Sequence, residues 1–104
     1  MYARNVSFRL KSNMQADYTR TFESQILPML RKQKGFLDAI TLCNPNVQDA
    51  VAISLWENKT NADYYNTNGY PELLKTLTKF IDGTPQVHTY ETVVSTLHHV
   101  PAAV

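Results

Sequence analysis

The sequence is poor in charge, in cysteine and in glycine. Of its 104 residues, 18% are charged, against about 25% in an ordinary globular domain. Ten Lys and Arg against nine Asp and Glu give a net charge of +1, with no basic field that would favour nucleic acid. No apolar run approaches the roughly 18 residues of a membrane span. The three glycines do not form a phosphate loop or a dinucleotide-binding run, which excludes those enzyme classes.

The length predicts one domain, which we expect over residues 1–97, followed by a C-terminal tail at 98–104. The N-terminus alternates like a strand and has no hydrophobic signal core. The lone Cys43 cannot form an internal disulfide. We therefore expect a cytoplasmic protein. Low charge without disorder also suggests that part of the nominal surface is covered in a homo-oligomer.

Hydrophobic periodicity predicts a strand and a helix in the first third of the chain. Residues 3–11 alternate, with one face formed by Arg4, Val6, Phe8 and Leu10. Apolar residues every four positions predict a helix over 14–34, with an N-cap at Ser12 or Asn13 and a C-cap at Gly35. Pro28 removes a backbone donor, which predicts a kink near residues 25–27.

The remaining elements follow from turn residues and apolar runs. Strands are predicted over 36–43 and 50–56, joined as a hairpin by the polar turn at 44–49. The capping-box spacing from Thr60 to Asp63 predicts a short helix that residues 66–69 break. A second helix is predicted from Pro71 through Ile81, stopped at 83–85, and a last strand over 86–97.

This order, β-α-β-β-α-β, predicts an α+β, ferredoxin-like fold with a four-stranded antiparallel sheet and both helices on one face. The predicted strands two to four carry only two formal charges, Asp38 and Glu91. The face of the sheet that the helices leave uncovered therefore has too few charged residues for a surface exposed to solvent. We expect a homodimer formed through the sheet faces.

Several segments resemble the antibiotic biosynthesis monooxygenase superfamily of dimeric α+β barrels. They are residues 22–31 (FESQILPMLR), 34–36 (KGF), 54–57 (SLWE), the helix start at Tyr70-Pro71 and residues 87–94 (VHTYETVV). The resemblance covers almost the whole chain. It implies the dimeric α+β barrel fold and, at the level of function, a monooxygenase-like protein.

Two branches of that superfamily can be compared residue by residue. The haem-degrading branch has an axial histidine where this chain has Lys75, and an ammonium is a poor iron ligand. The cofactor-independent, quinone-forming branch is similar at Trp56, but its substrate-holding asparagine four residues earlier corresponds to Ala52. Another donor would be needed, for which Tyr65, Tyr70, Asn66 and His88 are candidates.

A metal- and flavin-free oxygenase needs aromatic walls, few charges and one or two hydrogen-bond donors. We assign substrate binding to Trp56, Tyr18, Tyr64, Tyr70 and Asn66, and acid–base catalysis to His88 or Tyr65. Core or interface packing is the alternative for each of these residues. Arg4 is expected to be solvated or paired with the partner subunit, with anion binding near the dimer face as its alternative.

The sequence therefore predicts a cofactor-independent monooxygenase that acts on a small phenol or hydroquinone. No metal site is predicted, because no His, Cys or carboxylate spacing suits one, and no cofactor is expected. A second hypothesis is a non-catalytic, ligand-binding or stress-related dimer. A third is haem bound by another ligand such as His88.

Overall fold

A computed structural model describes residues 1–44 and 46–96 of the chain. The strands are β1 (Tyr2–Leu10), β2 (Phe36–Cys43), β3 (Asp49–Trp56) and β4 (Ile81–Glu91). The helices are α1 (Gln15–Thr21), α2 (Leu27–Arg31), α3 (Lys59–Asn68) and α4 (Tyr70–Leu77), with a π-helical turn at Phe22–Ile26. The sheet is antiparallel in the order β2-β3-β1-β4. The α+β, ferredoxin-like prediction is confirmed.

The pleat of β1 separates the two faces of the sheet. Its even-numbered residues from Arg4 to Leu10 are buried, together with residues of both helical segments such as Tyr18, Leu30 and Leu73. The helices therefore cover one face, here called the helix face. The strand register places Arg4 in a row across this face, with Ser54 of β3 and Thr89 of β4 on either side.

The opposite face of the sheet, here called the open face, carries exposed apolar side chains. One row across it joins Ile40, Ile53, Asn5 and His88. Ile40 and Leu42 are each 52% exposed and Tyr90 is 55% exposed. This confirms that an apolar sheet surface is left uncovered within one chain.

The first helical segment is interrupted by a π-helical turn. The Leu27 N–H donates to the Phe22 carbonyl, five residues earlier, and Pro28 follows in the first turn of α2. Pro28 has no N–H to donate to a carbonyl four residues back, and a π-helical turn is one way in which a helix accommodates such a loss. The irregularity predicted near residues 25–27 is therefore present. It is a π-helical turn that begins slightly earlier, at Phe22, and ends at Ile26. The predicted cap at Ser12 or Asn13 is wrong, because Met14 is the N-cap and no side chain caps it.

Asn58 starts the next helix. Its side chain accepts the Asn61 N–H at 2.9 Å, so α3 begins at Lys59 and not through a box at Thr60. Residues 66–68 do not break α3, which runs to Asn68 because neighbouring packing outweighs the low helix propensity of Asn and Thr. None of the described helices is both long enough and apolar enough to cross a membrane.

The last strand differs from its prediction. Helix α4 ends at Leu77, and Ile81 already pairs with Leu10 as the first residue of β4. Gly83, with φ of +73°, lies in an irregularity of the β1–β4 ladder. The Gly-Thr-Pro sequence therefore lies within β4, where it shifts the register of the strand against β1, and not before the strand as predicted. The strand ends at Glu91, and residues 92–96 are not strand. Residues 97–104, including His98, His99 and the predicted tail, lie outside the described residues.

Candidate functional site

A small cavity lies between the helices and the helix face of the sheet. Its volume is about 40 Å³. Its wall is apolar and aromatic apart from one guanidinium, one serine and the tyrosine hydroxyls. The side chains that form the wall include Arg4, Val6, Phe8, Tyr18, Phe22, Ile26, Ala52, Ser54, Tyr65, Tyr70, Leu73 and Leu77.

Arg4 is the charged residue of this cavity. Its side chain is 2% exposed, and its Cζ lies 4.9 Å from the ring centroid of Tyr65 and 4.6 Å from that of Tyr70. One terminal nitrogen donates to Oδ1 of Asn66 at 2.9 Å. The expectation of a solvated or partner-paired Arg4 is wrong. The alternation of the sequence already placed Arg4 on the apolar face of β1, and this pattern was the signal that the side chain is buried.

Trp56 lies behind the cavity wall. Its indole is fully buried, stacks on Tyr65 with centroids 4.7 Å apart, and donates from Nε1 to Oγ of Ser54 at 2.9 Å. Phe36 also packs against this indole, edge-on. The cavity wall therefore contains Tyr65 and not Trp56. Trp56, which was predicted to contact a ligand, instead supports the ring of Tyr65.

Tyr18 and Tyr70 complete the aromatic wall. The Tyr18 hydroxyl shares a hydrogen bond with the Thr41 hydroxyl at 3.1 Å. The Tyr70 hydroxyl is buried and has no hydrogen-bond partner in the described protein. A buried hydroxyl without a partner is costly, so Tyr70 is available to bind a ligand atom.

Burial controls the ionisation of these side chains. It raises the pKa of Tyr65 and of Tyr70, while the Arg4 charge acts in the opposite direction on both. Burial also raises the pKa of Tyr18 and lowers the pKa of Arg4. Near neutral pH the tyrosines are therefore neutral and can donate hydrogen bonds, but they are not phenolate bases.

A second depression opens on the outer side of Tyr18 and Phe22. It has a volume of about 260 Å³ and is lined by α1, the π-helical turn and β2. Both aromatic side chains also line the inner cavity, so they separate the two spaces. Because Tyr18 is hydrogen-bonded to Thr41, Phe22 is the side chain freer to move.

The structure does not bring the remaining predicted site residues into the cavity. His88 is exposed on the open face, opposite Asn5, whereas Tyr65 lies against the helix face. Tyr64 is 63% exposed and points away from the core. Asn66 contacts the site through Arg4. Among the described residues, no three His, Cys, Asp or Glu side chains cluster as metal ligands would.

Comparison with known proteins gives the class of fold. No protein-family model matches the chain, and no curated protein matches it in sequence. Solved structures do match, with probability 1.00, and include antibiotic biosynthesis monooxygenase-type proteins. The chain has the fold of these proteins, as the resemblance implied.

Three of these structures cover nearly all of the chain. An antibiotic biosynthesis monooxygenase-type protein of Bordetella bronchiseptica has a TM-score of 0.73 and 19% identity, over 89% of this chain and 97% of that one. The ActVA-Orf6 monooxygenase of Streptomyces coelicolor, in complex with nanaomycin D, has a TM-score of 0.74 and 16% identity, over 94% and 92%. A variant of SnoaB, a cofactor-independent oxygenase of Streptomyces nogalater, has a TM-score of 0.74 and 14% identity, over 93% and 97%.

Proposed function

We propose that this protein is a cofactor-independent monooxygenase that acts on a small phenol or hydroquinone. The observation that carries the proposal is the aromatic-walled cavity, whose lining combines three tyrosines with apolar side chains. Two proteins of the same fold are described as a monooxygenase in complex with nanaomycin D and as a cofactor-independent oxygenase. Both descriptions agree with a site of this composition.

The reaction needs no external reductant. A phenol with a free ring C–H would react with O₂ so that one oxygen atom enters the ring as a carbonyl. The other oxygen atom leaves as water with the two hydrogens that the phenol loses, and a quinone is formed. The protein would hold the ring oxygen and exclude bulk water, which are positioning effects.

The donors required for this task are present although Ala52 provides none. Tyr70 has a free buried hydroxyl, and Tyr65 is held in place by its stack on Trp56. We propose that these two hydroxyls replace the asparagine that the quinone-forming branch has at the position of Ala52. His88 receives no role in this cavity because it lies on the open face.

The cavity must become larger before the aromatic ring of a substrate can enter it. The inner volume of about 40 Å³ is well below the roughly 150 Å³ of a cavity that binds benzene. Rotation of Phe22 would join it to the outer depression of about 260 Å³. The combined space reaches the lower end of the range for ligand pockets, about 300 Å³. We propose that Phe22 is the side chain that the substrate displaces.

We also propose a homodimer formed through the open face, in which Ile40, Leu42 and Tyr90 would be buried. Exposed apolar patches of this kind usually mark an interaction surface, and a sheet face is suited to symmetric pairing. Light scattering during size-exclusion chromatography at micromolar concentration tests this proposal. A monomer would contradict it. The cytoplasmic location stays a prediction.

Oxygen consumption with a panel of phenols and hydroquinones tests the catalytic proposal. Turnover should require the dimeric protein and should fall in Tyr70→Phe, which removes the free hydroxyl but keeps the ring. The surface variant Tyr64→Phe is the matched control because Tyr64 is exposed and outside the cavity. Absence of turnover by intact dimer with every member of the panel would contradict the proposal.

A second candidate function is binding without catalysis. It is favoured by the absence of any carboxylate or imidazole among the described side chains of the cavity wall, so that the site has no evident base. In this case a phenol would raise the melting temperature and be recovered unchanged. Conversion of the bound phenol to a quinone would exclude this candidate.

A further inference from the structure

We propose that Arg4 is an anion-binding residue and that the ligand of the cavity carries an oxyanion, a carboxylate or a phenolate, on a flat apolar ring. This inference rests on the proposed function, since it specifies the ionic form of the aromatic ligand that the same cavity takes. Three features of the site lead to it: an uncompensated charge, donors that no protein group uses, and a wall without a base.

The charge of Arg4 has no counterion in the described protein. Arg4 belongs to none of the ion pairs formed by the described residues. The carboxylate that acts on it through space, Asp63, is itself paired with Lys59 at the surface. A buried charge without a partner is strongly disfavoured, and buried charges are normally paired. An anionic ligand would supply the missing negative charge.

The guanidinium also has an unused donor in the right place. Nε of Arg4 is buried without a hydrogen-bond partner in the described protein, as is the hydroxyl of Tyr70. One terminal nitrogen is held by Asn66, and Cζ of the guanidinium lies 4.9 Å and 4.6 Å from the ring centroids of Tyr65 and Tyr70. Arg4 is therefore held in position, while Nε–H and a neighbouring O–H remain free to donate. Two donors suit an oxyanion better than a neutral group.

The chemistry of the wall leads to the same ligand. Among the described residues it contains no carboxylate or imidazole that could remove a proton from a bound phenol, and its tyrosines are neutral. A ligand that enters already ionised avoids this step. Its ring would contact the aromatic and aliphatic side chains, and its oxyanion would lie against Arg4. Ring and charge are therefore recognised by different parts of one cavity.

The proposal is tested by binding of benzoate and benzamide, which have the same shape but differ in charge, measured by titration calorimetry. We expect benzoate to bind at least about tenfold more tightly than benzamide, because hydrogen bonds to charged groups are the stronger ones. Arg4→Met should remove this preference. Lys75→Met is the matched control, because it removes one positive charge from an exposed pair with Glu72 outside the cavity. It should keep the preference.

Two further measurements keep the result interpretable. Circular dichroism establishes whether Arg4→Met is folded; if it is not, Tyr70→Phe replaces it and should weaken benzoate binding by about threefold or more while benzamide changes less. Whether the oxyanion can be a phenolate is tested with 4-nitrophenol. Its affinity for the protein should rise with pH as the compound itself ionises, and this rise should be absent in Arg4→Met.

The outcomes separate this inference from the proposed function. Equal affinities for benzoate and benzamide would overturn the anion site and leave an aromatic-binding cavity intact. Acetate binding as tightly as benzoate would overturn the role of the ring in this recognition. If neither aromatic compound binds and no phenol is turned over, the proposed function fails as well.

Discussion

Substitution of Gly35 tests how helix α3 is held against the sheet. Gly35 lies between α2 and β2 with φ of +80°, and its carbonyl accepts the N–H of Glu57 at 2.8 Å. A Cβ at this position would lie 2.6 Å from the Cβ of Asn61, a buried residue in the first turn of α3. The Gly35→Ala variant therefore combines backbone strain with a steric clash.

The size of the effect can be worked out from these two contributions. A left-handed conformation costs a residue with a Cβ roughly 1–2 kcal/mol. Overpacking a filled site costs typically about 1–3 kcal/mol more. We therefore expect Gly35→Ala to lower the free energy of unfolding by about 2–5 kcal/mol. Since a domain of this size has a stability of about 5–15 kcal/mol, the variant should remain measurable.

Gly83→Ala is the matched control for this prediction. Gly83 also has a positive φ, +73°, but a Cβ there would meet nothing within 4 Å. It should lose only the backbone contribution, about 1–2 kcal/mol. The difference between the two variants isolates the contact with Asn61.

Denaturant unfolding, monitored by circular dichroism, gives the free energy of unfolding of both variants. The comparison requires that this free energy decrease with denaturant concentration at the same slope in both. Asn61→Ala removes the outer atoms of the clash, so the double variant with Gly35→Ala should recover part of the loss. Equal destabilisation by Gly35→Ala and Gly83→Ala, with no recovery in the double variant, would refute the predicted contact between Gly35 and α3.

Three further predictions concern the site, the open face and pH. Trp56→Phe should lower the stability by about 1–2 kcal/mol and reduce turnover through the loss of its stack on Tyr65, with the dimer unchanged by light scattering; unchanged turnover would contradict this role. Leu42→Asp on the open face should give a monomer that keeps its circular dichroism spectrum, and a persisting dimer would exclude this face as the interface. Burial raises the pKa of Tyr18, Tyr65 and Tyr70 above the usual value of 10.0, so the unfolded chain loses these protons first as the pH rises. Their contribution to stability should be complete below about pH 9 and should fall as the pH rises above 10. Denaturant unfolding at several pH values measures this fall, and a rise in stability would contradict the burial.

Local periodicity was sufficient to predict most of the fold. The alternation of β1 and the apolar run of β2 identified strands whose bounds agree with the structure within about one residue. The order of elements then specified the ferredoxin-like topology, because few arrangements bury both helices on one antiparallel sheet. The start of β4 was not predictable in this way. Ile81 continues the apolar spacing of α4, and only its pairing with Leu10 makes it part of a strand.

The candidate site depended more strongly on the tertiary structure. The sequence by itself determined an aromatic set with few charges, and it placed Arg4 and Val6 on the same face of β1. Only the packing of α3 and α4 on that face made Arg4 a buried cation in contact with the rings of Tyr65 and Tyr70. The sheet likewise separated His88 from the cavity, because alternate residues of a strand point to opposite faces and the helices cover only one of them. Residue types are a property of the sequence, whereas burial and the distances between remote side chains arise only when the elements pack.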